Sequence, residues 1–206
     1  YEEMYWKYGY DRYFDSFEHY YLLYQRRNLD LWAEYADGKV TKEELNRQRY
    51  LYPLEAVGAG DSTLAKAYER DALAMIPTKS KLMPHAREVL EYLSGKYNLY
   101  ILSNGFKELQ SHKMRSSGID EYFKKVVLSD DIGILKPWPE IFHFALSTTQ
   151  SELNNSLMIG DSWENDIVGA AGVGMHQVFY NLSGRTDLPF APTYQITDLK
   201  DLFNFL

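Results

Sequence analysis

The chain has 206 residues, a formal net charge of -7 and no cysteine, with 25% charged and 45% hydrophobic residues. That length suits one domain with a large insert or two small ones, in the composition range of soluble globular proteins. The missing cysteines exclude disulfides, thiolate metal sites and a cysteine nucleophile, and the acidic balance argues against a nucleic-acid partner.

No apolar run is long enough to span a bilayer, and no signal peptide is visible, so no membrane partner is expected. The lack of cysteine fits a reducing cytoplasm, the expected compartment. An anionic small substrate remains compatible with the charge, because a local site can be positive inside an acidic protein. The 18 tyrosines concentrate before residue 100. They read as amphipathic rings packing helix surfaces, not as a base-stacking platform, which needs a basic groove.

Residues 1 to 80 carry helical punctuation only. Glu2-Glu3-Met4-Tyr5-Trp6 reads as the interior of a helix. Asp15-Ser16-Phe17-Glu18 can open a helix over 17–35, ended by Asp37-Gly38. Thr41 and Glu44 have capping-box spacing, in which hydroxyl and carboxylate each satisfy the other's backbone N–H. Pro53 is expected to break the next helical pattern, and Asp61-Ser62-Thr63 to cap the one after it.

From residue 81 the pattern changes to alternating strands and helices. Pro84 fits the first turn of a helix through Leu93. Strands are expected at 97–103, 126–128, 157–159, 177–180 and 194–196. Helices are expected at 106–117, closed by Gly118, at 138–147, and from the third strand to about Gly172. The fold class is therefore α/β: a Rossmann-like, doubly wound parallel-sheet core over 81–206, preceded by a helical cap over 1–80.

In open α/β sheets ligands bind at the carboxyl ends of the strands. Those ends carry Ser103-Asn104-Gly105, then Lys136 within Gly133-Ile-Leu-Lys-Pro-Trp-Pro, then Gly160-Asp161-Ser162 with Asp166 five residues after Asp161. Each alone has a structural explanation, as a cap or a solvated loop charge. A hydroxyl, an amide, a lysine and two carboxylates on one rim suit phosphoryl transfer. Ser103 and the backbone N–H groups around Asn104 and Gly105 supply donors to a phosphate, and Lys136 supplies positive charge. Carboxylates beside a phosphate require a hard cation between them, and Mg²⁺ takes oxygen ligands while keeping several waters. Asp161 is the expected direct ligand; Asp166 either holds a metal water or holds Lys136.

Three of these segments carry a resemblance. Tyr100-Ile-Leu-Ser-Asn-Gly105, Gly133-Ile-Leu-Lys-Pro-Trp-Pro-Glu-Ile-Phe142 and Ile159-Gly-Asp-Ser-Trp-Glu-Asn-Asp166 resemble, in order and spacing, the second, third and fourth motifs of the haloacid dehalogenase-like hydrolases. The first 80 residues resemble the inserted cap of that family, in the branch with pyrimidine 5′-nucleotidases and phosphoglycolate-type phosphatases. The resemblance implies Ser103 and Lys136 on the phosphate, Lys136 also on the nucleophile, Asp161 on Mg²⁺ and Asp166 in support. It implies a Mg²⁺-dependent phosphatase acting on a small phosphorylated metabolite, such as a nucleoside monophosphate. The alternatives are a non-catalytic relative that binds phosphate or a partner, and a 2-haloacid dehalogenase; dehalogenating members lack the aspartate pair.

One motif is missing. The family's first motif, Asp-x-Asp, occurs nowhere in the chain. Its first Asp is the nucleophile that forms the aspartyl-phosphate, and its strand lies centrally between those bearing the second and fourth motifs. The expectation is that it precedes Tyr1, in a segment of about 20 residues, enough for a strand and a linker.

Other signals read as structural. Gly58-Ala-Gly60 follows no strand, and Gly60-Asp61-Ser62 repeats the Gly-Asp-Ser triplet only as a helix cap. His19, His85, His112, His143 and His176 lack metal-ligand spacing, and Asp130-Asp131 reads as a loop pair. Arg26, Arg27, Arg47 and Arg49 could meet a substrate anion but read first as surface charge.

Overall fold

In the computed structural model, which describes residues 1–206, the chain divides into two compact units, Tyr1–Thr78 and Lys79–Leu206. The first is all-helical: α1 (Glu2–Lys7), α2 (Phe17–Ala36), α3 (Lys42–Ala56) and α4 (Ser62–Met75). The Ser16 hydroxyl accepts from the His19 N–H and opens α2, and the Asp61 carboxylate accepts from the Thr63 and Leu64 N–H groups and opens α4. At α3 only half of the expected capping box forms. Thr41 Oγ1 accepts from the Glu44 N–H, but the Glu44 carboxylate turns to Arg47 and Gln48. A charged partner one turn along the helix is a stronger acceptor contact than a backbone N–H in water.

Pro53 does not break the pattern; it lies inside α3, buried beside Leu51 and Leu54. A proline inside a helix costs about 3 kcal/mol locally, and fully burying one large apolar side chain returns roughly 1.5–3 kcal/mol, so two such neighbours offset it. The tyrosines pack the helix surfaces against one another, as expected, and most deeply at the centre of the unit. Tyr5, Tyr10, Tyr20, Tyr50 and Tyr68 are the interior of this unit, packed ring on ring; Tyr10 and Tyr68 stack at 4.9 Å. Ala65 and Ala72, on the same face of α4 as Tyr68, leave room for those rings. Burial pushes the Tyr10 and Tyr20 hydroxyls well above the usual phenol range, so this interior stays uncharged. Asp71 ties α4 to α1 by accepting from Lys7 and Tyr8.

The second unit alternates helix and strand: α5 (Ala86–Ser94), β1 (Tyr100–Ser103), α6 (Lys107–Ser117), β2 (Lys125–Leu128), α7 (Pro139–Thr149), β3 (Leu157–Gly160), α8 (Gly169–Gly172), β4 (His176–Tyr180) and β5 (Tyr194–Ile196). Pro84 falls just outside α5, which starts after His85 in a left-handed conformation. The strand expected from residue 97 begins at Tyr100, because the Tyr97 N–H still bonds back to the Leu93 carbonyl of the helix end. Gly118 closes α6 at φ 62°, a conformation that glycine adopts without a Cβ clash, and Pro139 stands at the first turn of α7.

All strand pairs are parallel, β1 with β2 and β3-β4-β5 in that order. Side chains of β3 alternate between faces. Leu157 and Ile159 pack with Val89, Leu93 and Val178, while Met158 packs with Ile141, Phe142 and Ala170. Both faces are thus covered by helices, which is why these strands read as continuous apolar runs.

The five strands do not form one sheet. β1-β2 and β3-β4-β5 are separate, although Leu102 of β1 and Met158 of β3 pack against the same α7–α8 cluster. The Leu99 carbonyl accepts from Lys124, so it faces β2. Backbone groups alternate along a strand, so the Leu102 carbonyl faces the opposite edge, away from β2. The residue that meets it there belongs to the site.

Candidate active site

The carboxyl ends of β1 and β3 and the loop before α7 bring the predicted residues to one rim. Lys136, 8% exposed, sits at its centre. Its Nζ donates to the Leu102 carbonyl on the open edge of β1 at 2.8 Å and to Asp166 Oδ1 at 2.6 Å. Asn104 clamps the backbone of the same lysine: Asn104 Nδ2 donates to the Lys136 carbonyl at 2.9 Å, and the Lys136 N–H donates to Asn104 Oδ1 at 2.7 Å. The Asn104 side chain is therefore a brace between the β1 end and the lysine loop. Any contact of Asn104 with an anion falls to its backbone.

Ser103 ends β1. Its Oγ accepts from the Gly105 N–H at 3.0 Å and from Gln110 Nε2, on α6, at 2.7 Å. The Gly105 N–H, expected to meet a phosphate, is thus taken by Ser103. Gln110 was not singled out from the sequence. It lies seven residues after Ser103, across a turn whose path no local signal specifies.

Asp166, 4% exposed, lies in a single π-helical turn, Trp163–Val168, that follows β3. Single π-turns inside or beside α-helices are rare and occur frequently at functional sites. Asp166 Oδ2 accepts from the Ser162 N–H at 3.0 Å, and Oδ1 holds Lys136. Of the two roles open to Asp166, holding the lysine is the one the geometry displays. Gly160 makes this possible, since a Cβ there would run into the Asp166 side chain. Gly160→Ala is expected to push Asp166 off Lys136 and to cost about 1–3 kcal/mol, as overpacking does. Denaturant melts and turnover should both fall; wild-type values for both would refute the close approach.

Asp161 is exposed at the end of β3 and its carboxylate meets no protein partner. No group of three or more histidines and acidic residues is assembled as a ready metal cage. The donor set nevertheless fits Mg²⁺, which takes oxygen ligands, tolerates one or two carboxylates and keeps waters in the remaining positions. Asp161 offers a free hard oxygen, and Asp166 lies on the same short segment.

The remaining signals are structural. Asp61 caps α4. Asp130 accepts from the Lys107 N–H and Asp131 from the Leu128 N–H, so this pair pins the loop after β2. Arg27 pairs with Glu34 and Arg47 with Glu44; Arg49 is buried against Asn46 and the Tyr50 ring, and Arg26 is exposed. His19 and His85 stand beside carboxylates, Asp15 for the first, Glu88 and Asp198 for the second, and His112, His143 and His176 are exposed.

The profile of the haloacid dehalogenase-like hydrolases matches residues 3–174. The chain belongs to this family. The α/β unit is its Rossmann-like core, and the three segments that resemble the family's motifs meet on the rim of that unit. The haloacid dehalogenase-like chain is 29% identical over 187 residues to YfnB of Bacillus subtilis, covering 89% of this chain and 78% of YfnB. It is 30% identical over 185 residues to the pyrimidine 5′-nucleotidase YjjG of Escherichia coli, covering 89% of this chain and 80% of YjjG. The crystal structure of YfnB bound to magnesium superposes with a TM-score of 0.87 at 26% identity, covering 100% of this chain and 90% of that one. No helix in the protein is long and apolar enough to cross a membrane.

Proposed function

We propose that this hydrolase is a Mg²⁺-dependent phosphatase of small phosphomonoesters, working through an aspartyl-phosphate whose carboxylate comes from a strand preceding Tyr1. The observation that carries the reading is Lys136. One ammonium spans from the unpaired edge of β1, at the residue before Ser103, to the carboxylate behind β3. A parallel strand laid between β1 and β3 would join the two sheets and set its own carboxyl end beside Lys136.

In this reading the Ser103 hydroxyl donates a hydrogen bond to a phosphoryl oxygen. Lys136 compensates charge on the phosphoryl group and on the attacking carboxylate, held in place by Asp166 and Asn104. Asp161 is the metal ligand contributed by β3. Mg²⁺, when bound, supplies the positive charge that lets carboxylates and phosphate approach one another. The carboxylate attacks phosphorus as the P–O bond to the leaving oxygen breaks, and that oxygen takes a proton to depart as the alcohol; water then attacks the phosphorus of the acyl phosphate, releasing inorganic phosphate and restoring the carboxylate. Positioning and electrostatics carry most of the rate, as in other phosphoryl transfers. The nucleotidase activity in the name of YjjG supports nucleoside monophosphates as the first substrates to try.

The test is turnover by the full-length protein with p-nitrophenyl phosphate, then with nucleoside monophosphates, sugar phosphates and phosphoglycolate, each with Mg²⁺ and with EDTA. Phosphate release that EDTA abolishes is expected. Metal-independent turnover, or none on the whole panel, overturns the reading. Chloride release from 2-chloropropionate in EDTA would replace it with a dehalogenase.

A further inference from the structure

We infer that Gln110 is a positioning residue that turns the Ser103 hydroxyl into a one-way donor toward the bound anion; this rests on the phosphatase reading above. A serine hydroxyl has one proton to give and two lone pairs to receive. Both receiving positions of Ser103 Oγ are filled, by the Gly105 N–H at 3.0 Å and by Gln110 Nε2 at 2.7 Å. The proton is left as the only free hydrogen-bonding element, and it points away from both donors. An anion at the rim then receives a proton donor already oriented, with no competing rotamer of the hydroxyl to give up.

Three further features fit the assignment. Gly105 has no side chain, and a Cβ there would run into the Gln110 amide, so this glycine leaves the passage by which the amide reaches Ser103. Gln110 is neutral and can donate; a glutamate of the same shape, when ionised, can only accept. It would take the Ser103 proton for itself and turn the hydroxyl away from the anion. Finally, Gln110 stands on α6, whose first turn is pinned by Asp130 accepting from the Lys107 N–H, so the amide is presented from a fixed element.

The experiment is a double-mutant cycle on the full-length protein, reading KM and kcat for p-nitrophenyl phosphate, the inhibition constant of inorganic phosphate, and the melting temperature. Gln110→Met keeps the length and loses the donor, and is expected to weaken phosphate inhibition by about 3- to 10-fold, the worth of one hydrogen bond. Gln110→Glu is expected to weaken it further, by more than about 10-fold, because an acceptor and a negative charge replace the donor. Gly105→Ala, which displaces the amide, is expected to resemble Gln110→Met. In the Ser103→Ala background Gln110→Met should add nothing, since no hydroxyl remains to orient.

Equal losses from Gln110→Met with and without Ser103 would make the residue merely structural and overturn the inference. So would a Gln110→Glu protein that turns over and is inhibited by phosphate like the wild type, since the amide oxygen would then be the atom facing Ser103. A Gln110→Met protein that does not fold is replaced in the cycle by Gln110→Leu, which is also uncharged and lacks the donor, and the same criterion applies. Absent turnover by the wild type itself sinks the phosphatase reading and this inference together. Wild-type turnover with a damaged Ser103→Ala but normal Gln110 variants sinks the inference alone.

Discussion

Lys136→Met is expected to destabilise the core unit by about 3–5 kcal/mol, the cost of removing one partner of a buried ion pair. The same change should lower kcat/KM by about 100-fold or more, as removing a preorganised donor does. The stability loss follows from burial: the Lys136 and Asp166 side chains are 10% and 6% exposed. Methionine fills much of the lysine's volume, so the loss is of charge and hydrogen bonds more than of packing. It strands Asp166 Oδ1 and also orphans the Leu102 carbonyl on the open edge of β1. Adding Asp166→Asn removes the stranded charge and should recover much of the stability but none of the activity. Denaturant melts of the two single variants and the double variant, with kcat/KM for each, separate the two effects. A Lys136→Met protein as stable as the wild type would mean that the lysine and the aspartate are not paired in solution.

Asp161→Asn is the complementary case, a large functional effect without a structural one. Asp161 is exposed and its carboxylate makes no hydrogen bond or ion pair, so its loss should change stability by no more than about 0.5 kcal/mol. Losing an outer-shell partner of a metal already costs 10- to 100-fold in affinity, so losing a direct ligand is expected to cost about 100-fold or more. The variant should therefore need far more Mg²⁺ for half-maximal turnover, and calorimetric Mg²⁺ binding should weaken in parallel. An unchanged Mg²⁺ titration would remove Asp161 from the metal site. Together the two variants divide the rim into a buried half, whose charges the fold needs, and an exposed half that only the chemistry needs.

Much of the architecture is local in origin, which is why it can be read from residue order. Ser16 and Asp61 open helices because their side chains satisfy the N–H groups two or three residues on. Gly118 ends one because it adopts φ 62° freely. Apolar runs mark the strands of a sheet covered on both faces, and strand ends then nominate Ser103, Lys136, Asp161 and Asp166 as rim candidates. One local signal misleads. Pro53 stays helical because tertiary packing outweighs a local preference of a few kcal/mol.

Residue order alone sets the alternation of strands and helices, the order of the three motifs and the chemical types available at the rim. Which of those groups meet depends on how the elements pack. Lys136 reaches Leu102 and Asp166 across more than 30 and 30 residues of chain respectively, and Gln110 reaches Ser103 across a turn. Local propensities act over three or four neighbours, whereas a hydrogen bond across the fold depends on where whole elements pack. That is why the sequence left Asp166 open between a metal water and a lysine. It is also why the separation of β1-β2 from β3-β4-β5, with the lysine ammonium at the β1 edge, emerged only once the strands were packed.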